Sequence, residues 1–412
     1  MELTFLGSAQ EVGRSCILLS SQDNIMMDCG VKIHSDSAYP MQPPANADYV
    51  AVTHAHLDHS GYLPALYKHK SPELLCTPPT LALTQIIVDD SLKIMAKRGE
   101  FPYHRAHVKK MVKNTTLLSY KKKYELNNST FTFYNAGHIA GAGMCDIDTK
   151  EGRIVYTGDF KGEATKTTFA TDPPPKGPKA LITESTYSDT DHPKRKDLEI
   201  ELKRQIQGTL EGGGTVLLPA FAIGRTQELM RIVRSIDKDV EIWVDGMGWR
   251  VSETLSHYSK YIKDFKQFRR DMKTCKPVTH RRYREKLAKK RCVIIATAGM
   301  LQGGPALGYL LRLGPESRAI FTGYCVENTN GYNLLNNGYV EYDGIKIRPK
   351  ADYSYLDFSA HAGRKEMFDF AARLCPEKIF CVHGDKCPEF AEELKLEGFD
   401  AYAPKLGETV KI

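Results

Sequence analysis

No stretch of this sequence offers the run of about eighteen consecutive apolar residues that a membrane-spanning helix needs, which excludes a helical integral membrane protein. The first residues, Met1-Glu2-Leu3-Thr4-Phe5-Leu6-Gly7, lack both a charged leader and a long apolar segment. No secretory signal is therefore expected, and the cytoplasm is the expected compartment. Cysteine occurs ten times but never as a CxxC pair or at a repeated spacing, so buried thiols are expected rather than a disulfide framework. Cys29 and Cys145 read as small apolar fillers rather than as ligands. Internal repeats and low-complexity tails are missing as well, which leaves out a repeat array.

What is present is an ordinary globular composition, 42% hydrophobic and 26% charged, spread over 412 residues. That length exceeds what one hydrophobic core usually supports, so two domains are the first expectation. Charge is unevenly placed. From Lys260 to Arg291 there are fourteen Lys or Arg against three Asp or Glu, a larger excess than the net +7 of the whole chain. Lys93 to Lys123 holds ten basic residues opposed by Glu100 alone. Such clusters are footprints for a polyanion, although a solvated helix face has the same composition.

Short apolar runs suit strands at Glu2 to Leu6, Cys16 to Leu19, Asn24 to Asp28, Asp48 to Thr53, Phe131 to Ala136, Arg153 to Thr157 and Ala180 to Thr183. Leu81 to Ile94 has helical spacing, and the basic segment to Lys113 is expected to continue that helix. From about Asp189 helical patterns at Lys196 to Leu210 and Arg225 to Ile236 alternate with strands at Thr215 to Leu218, Glu241 to Val244 and Val293 to Thr297. This is the grammar of a mostly parallel sheet. Strand after strand ends in a residue able to bind a ligand, the pattern of sites in layered α/β folds.

The densest of these ends is His54-Ala55-His56-Leu57-Asp58-His59. Neutral imidazoles suit zinc, and a carboxylate nearby can hold a second ion. Two ions need about seven donors, one of them shared. His138, Asp159 and His383 complete that number. The expected sets are His54, His56 and His138 for one ion and Asp58, His59 and His383 for the other, with Asp159 bridging. Two such zinc ions stand about 3.5–4 Å apart and deprotonate a shared water at neutral pH. Asp28 is expected to orient a ligand imidazole rather than bind metal.

In order and spacing, Asp28, the HxHxDH segment, Gly137-His138 and Gly158-Asp159 resemble the motifs of the metallo-β-lactamase fold. Glu184-Ser185-Thr186-Tyr187, Ser359-Ala360-His361-Ala362 and Val382-His383-Gly384-Asp385 resemble the three further motifs of its β-CASP nuclease branch. Gly7 to Ser15 and Gly224-Arg225-Thr226-Gln227-Glu228 are similar to that branch too. The nearest kind is the archaeal homologue of the cleavage and polyadenylation specificity factor nuclease, in its shorter form without KH modules. The resemblance implies an αββα sandwich with an inserted, mostly parallel β-CASP α/β domain and an active site between them. Its parts would be 1–188 and 351–412 for the first domain and 189–350 for the insert. It also implies a symmetric homodimer and a place in an RNA-processing or RNA-decay complex.

The implied activity is zinc-dependent hydrolysis of single-stranded RNA to 5′-phosphate and 3′-hydroxyl ends, by endonuclease or 5′-to-3′ exonuclease action. His383 favours RNA, because DNA-repair members of the branch carry an apolar residue there. Asp58 counts as ligand and catalytic group. His361 is expected to protonate the leaving ribose oxygen, with Glu184 accepting its other N–H. Arg225 and Thr226, at a helix start, are expected to meet a phosphate. Gly299 is expected to allow RNA close approach, and Tyr324, Asn328 and Gly331 lie where the family lines its RNA cleft. A small-molecule metallo-hydrolase would not require Glu184 and His361, and a non-catalytic scaffold would typically have lost ligands.

Overall fold

Residues 1–32, 37–41 and 47–412 are described by a computed structural model. The chain divides into two units, one of residues 1–164, 168–191 and 360–412, the other of residues 165–167 and 192–359.

The first unit contains two seven-stranded sheets. One has the order Thr409–Lys411, Glu2–Phe5, Ile17–Ser20, Asn24–Met27, Tyr49–Ala51, Glu73–Cys76, Thr115–Leu117. It begins as an antiparallel meander and becomes parallel from Asn24–Met27 onward. The other runs Ala401–Tyr402, Lys378–Val382, Ala180–Glu184, Gly152–Tyr156, Gly143–Thr149, Thr130–Asn135, Tyr124–Glu125. Strand alternation explains how they pack. Leu3, Phe5, Ile17, Leu19, Ile25, Met27 and Ala51 point inward, meeting Phe131, Phe133, Ile147, Tyr156, Ile182 and Phe380 of the second sheet. The intervening Leu18, Met26, Val50 and Leu74 point outward against Val88, Val108 and Met111 of the helices Pro78–Arg98 and Arg105–Lys113. The helix Cys387–Leu396 packs on Lys378–Val382 and Ala401–Tyr402. Strands apolar on both faces are what a sheet covered on both sides requires.

The single helix expected from Leu81 to Lys113 is two. Gly99 adopts φ 74 and caps the first helix, with Gly99 N–H on Ala96 O and Glu100 N–H on Met95 O. Pro102 then lies in the connection before the second helix starts at Arg105.

The second unit is built on a six-stranded sheet ordered Lys276–Pro277, Ile242–Asp245, Val293–Ala296, Val216–Pro219, Arg318–Phe321, Asp352–Tyr355. Every neighbouring pair in it is parallel. Among the described residues no helix is long and apolar enough to cross a membrane. All ten cysteines are free thiols, and only Cys375 is exposed.

Candidate metal centre

Parallel pairing sets the site before any side chain is considered. Met27 lies opposite Ala51, so Asp28 and the His54 segment leave the first sheet at one edge. Glu184 lies opposite Val382 and Tyr156 opposite Ile182, so Asp159, Glu184 and His383 follow strand ends that stand side by side in the second sheet. Two glycines let these ends close up. A Cβ on Gly158 (φ 52) would lie 2.6 Å from Thr53 Cβ, and one on Gly137 (φ 75) would lie 2.4 Å from Lys161 O.

Seven donors converge in two groups. His54 Nε2 is 3.2 Å from His56 Nδ1, and that nitrogen is 3.1 Å from His138 Nε2. Asp159 Oδ2 is 3.4 Å from His54 Nε2 and 3.7 Å from His138 Nε2. In the second group His383 Nε2 is 3.4 Å and His59 Nε2 3.9 Å from Asp58 Oδ2. Asp159 Oδ1 turns to this group, 3.2 Å from His59 Nε2, and has no hydrogen-bond partner among the described residues. Zinc holds such ligands at about 2.0–2.1 Å, so neighbouring corners of its tetrahedron stand about 3.3 Å apart. The first group has that spacing, and the orphaned buried Oδ1 is what a second cation would satisfy. The residues present fit a metal.

A surrounding layer fixes four of the five rings, all but His56. Asp28 Oδ2 is 2.7 Å from His59 Nδ1, and the same carboxylate accepts Thr53 N–H, Thr53 Oγ1–H and Tyr156 O–H at 2.8, 2.8 and 2.9 Å. His138 Nδ1 meets Ala360 O at 2.9 Å, His54 Nδ1 meets Thr53 Oγ1 at 3.1 Å, and His383 Nδ1 meets Thr186 Oγ1 at 3.2 Å. With Nδ1 occupied in all four rings, Nε2 is the donor left for an ion. Burial holds His54 and His138 well below the ordinary histidine range, as neutral rings with a lone pair to give. Burial also disfavours charge on His59, but Asp159, Asp28 and Asp58 overcome it and raise that group. Thr53, Tyr156 and the Ala360 carbonyl were not singled out from sequence; a hydroxyl or carbonyl acting on a neighbour's ring has no spacing signature.

Beside the donors stands a pair of different character. His361 Nδ1 is 2.8 Å from Glu184 Oε2 and 3.9 Å from Asp159 Oδ2. Phe160 N–H holds Glu184 Oε1 at 2.7 Å. Burial alone would lower His361, yet Glu184 and then Asp159 outweigh it, and the group is pushed up to about 9. His361 keeps 22% side-chain exposure while Glu184 has none, so the ring can reach a substrate and the carboxylate cannot.

The residues individually expected to contact RNA fall in the second unit, whereas of the two basic clusters Lys260 to Arg291 lies there and Lys93 to Lys123 lies in the first unit. Arg225 and Thr226 open the helix Arg225–Ile236, but Arg225 N–H donates to Ile223 O, and Thr226 N–H and Oγ1–H both donate to Phe221 O. The turn itself consumes the backbone donors expected to be open to phosphate. Gly299 is buried, and a Cβ there would lie 3.0 Å from Phe221 N, so its smallness serves an internal approach. Tyr324 is 54% exposed and Asn328 lies exposed in the same loop, whereas Gly331 is buried in the helix Asn330–Asn337.

Three family descriptions match the chain: a metallo-beta-lactamase superfamily domain over 17–167, a Beta-Casp domain over 226–334, and a Zn-dependent metallo-hydrolase RNA specificity domain over 345–404. A probable RNase MJ4 of Methanocaldococcus jannaschii is 33% identical over 428 residues, covering 100% of both proteins. RNase aCSPSF2 of Saccharolobus solfataricus is 32% identical over 100% of this chain and 85% of its own length. Transcription termination factor FttA of Methanocaldococcus jannaschii is 33% identical over 96% of this chain and 69% of its own. A solved protein of unknown function from Enterococcus faecalis V583 shares the fold with a TM-score of 0.62, at 15% identity over 99% of both chains. With full-length identity of this order and all three domains matched, the chain belongs to the β-CASP branch of the metallo-β-lactamase superfamily.

Proposed function

We propose that this chain is a zinc-dependent ribonuclease that holds two Zn2+ ions and hydrolyses single-stranded RNA to 5′-phosphate and 3′-hydroxyl ends. The observation that carries the reading is the Glu184–His361 pair, 2.8 Å apart beside Asp159. An RNA phosphodiester has an alkoxide leaving group that must receive a proton, which the thiolate leaving group of a thioester does not need. Two relatives are named as RNases, which supports the same substrate.

In this reading His54, His56 and His138 hold one ion, Asp58, His59 and His383 the other, and Asp159 both. Bound zinc supplies a nucleophile from water at neutral pH and neutralises charge on the phosphate. Asp28 turns His59 toward its ion. Glu184 Oε2 accepts a hydrogen bond from His361 Nδ1–H, so Nε2 carries the proton delivered to the ribose 3′-oxygen. Arg225, Tyr324 and Asn328 are the proposed RNA contacts, with Thr226 and Gly299 serving the turn. The hydrolase domain is the first unit and the β-CASP domain the second, which keeps the strand Asp352–Tyr355 and so ends past the expected boundary at 350. The protein acts in the cytoplasm as a homodimer, in RNA 3′-end processing or turnover.

The test compares end-labelled RNAs bearing 5′-triphosphate, 5′-phosphate and 5′-hydroxyl ends, incubated with the zinc-loaded protein. A ladder insensitive to the 5′ end means endonuclease action, and stepwise loss confined to 5′-phosphate RNA means exonuclease action. No cleavage of any of them by protein carrying its full zinc would refute the ribonuclease reading.

A further inference from the structure

The helix Phe265–Thr274 is amphipathic in an unusual way. Its inner face is formed by Phe268 and by Asp271, which pairs with Arg231 through a 3.4 Å contact. Its outer face presents Lys266, Arg269, Arg270 and Lys273, all exposed. Lys266, Arg270 and Lys273 are four and three residues apart, a single stripe about 10 Å long. Like charges so placed destabilise a helix. Other cations of this region have partners: Lys276 and Lys290 pair with Glu241, Lys289 with Glu285, and Arg284 with Asp245. Among the described residues, no ion pair is found for the three on the stripe or for Arg269 beside it.

Next to the stripe opens a cavity of about 560 Å3, lined by Ser259, Phe265, Lys266, Gln267 and Arg270 among others. It offers an aromatic face, two neutral hydrogen-bonding groups and the cations Lys266 and Arg270, while a third cation there, Arg231, lies beside the carboxylates of Asp264 and Asp271. Arg269 lies 5.9 Å from the centre of the Phe265 ring. Further along the same basic segment, Tyr283 is 40% exposed with Arg282 5.3 Å above its ring. A half-buried ring lining a cavity and an exposed one further along, interleaved with cations, suit an unpaired strand, whose phosphates meet the charges and whose bases stack. An acidic protein surface would use the charges and leave the rings without a role.

We infer that the stripe Lys266, Arg270 and Lys273, with the cavity beside Phe265, is a docking surface for single-stranded RNA. It engages substrate through phosphates and one stacked base and takes no part in bond cleavage. The inference rests on the proposed ribonuclease function for the identity of its ligand.

The test uses the full chain carrying Lys266→Ala, Arg270→Ala and Lys273→Ala together, and separately Phe265→Leu, which keeps apolar bulk and removes the ring. A control removes equal charge at exposed positions outside both basic clusters, through Lys196→Ala, Lys203→Ala and Lys238→Ala. Affinity for a fluorescein-labelled oligouridylate is read by anisotropy over a salt series, with His361→Ala added throughout to keep the RNA intact. Hydrolysis of bis(p-nitrophenyl) phosphate by the zinc-loaded variants with His361 retained reports the metal centre independently. The triple variant is expected to bind RNA about tenfold more weakly, with the log–log salt slope reduced by about 2, and to hydrolyse the small diester normally. Phe265→Leu is expected to weaken binding and leave the slope unchanged. Unchanged affinity and slope in the triple variant, or an equal loss in the control, overturns the docking surface. RNA that binds through this stripe but is never cleaved by the wild-type chain leaves the surface standing and removes the ribonuclease reading instead.

Discussion

Asp28 and Asp159 show how one residue type acquires opposite duties. Asp28 takes four hydrogen bonds from protein groups, three on Oδ2 and one on Oδ1. Asp159 Oδ1 is as buried and has no hydrogen-bond partner among the described residues, so its lone pairs are available to a cation. The seven donors could be read from sequence because imidazoles and carboxylates at strand ends are rare without a metal. Their orientation could not, since it depends on Thr53, Tyr156, Thr186 and the Ala360 carbonyl acting at close range. For His361 the expected outcome is specific. His361→Ala should keep its zinc, measured by elemental analysis, and lose about 10²–10⁴-fold in RNA cleavage; full zinc with undiminished cleavage would remove its role as acid. The acid form is the active one, so activity is lost as pH rises through the His361 value, which Glu184 holds up. Glu184→Gln removes that carboxylate and should move the alkaline limb of the rate profile to lower pH. An unmoved limb would mean that the pair is structural.

At the scale of elements, the legible ones had a clean pattern. The helix Arg225–Ile236 lies where its spacing predicts, and the strands at 24–27, 49–51 and 180–184 fall inside or within a residue of the predicted runs. Glu73–Cys76 and Gly143–Thr149 escaped notice, the second because Asp146 and Asp148 interrupt its apolar pattern. Within the second unit, Glu228 ties the strap Thr165–Thr167 to the helix Arg225–Ile236, accepting Thr165 Oγ1–H at 3.0 Å, Lys166 N–H at 2.8 Å and Thr167 Oγ1–H at 2.6 Å, and pairing with Arg195. Burial works to raise its carboxyl, but Arg195, Thr167 and Lys166 outweigh it and hold it below the usual range. A depressed value means stabilisation that is complete above the unfolded carboxyl range and lost as pH falls through the folded value. Glu228→Gln should therefore cost about 2 kcal/mol in urea unfolding at neutral pH. The gap to wild type should narrow in acid; a gap independent of pH would show that the charge is not what holds the strap.

On the scale of the whole molecule, the first unit is assembled from distant parts of the chain. Glu2 pairs with Lys411 in one sheet, and Glu184 faces Val382 in the other. The donors span residues 54 to 383, so a bound ion links segments that the second unit's sequence interrupts. A ligand that binds only the folded chain stabilises it by mass action. Chelation should accordingly lower the unfolding temperature and abolish RNA cleavage, and added zinc should restore both, with two ions per chain by elemental analysis. A melting temperature indifferent to chelation would argue that these donors hold no structural ion. The sequence by itself determined the kinds of donor and the strand ends that carry them, because period-two alternation and the chemistry of histidine are local properties. Only the tertiary structure decided which ring nitrogen faces which oxygen and which strands lie side by side. Parallel pairing between segments two hundred residues apart, and hydrogen bonds that select one imidazole nitrogen over the other, leave no periodicity in the chain to be read.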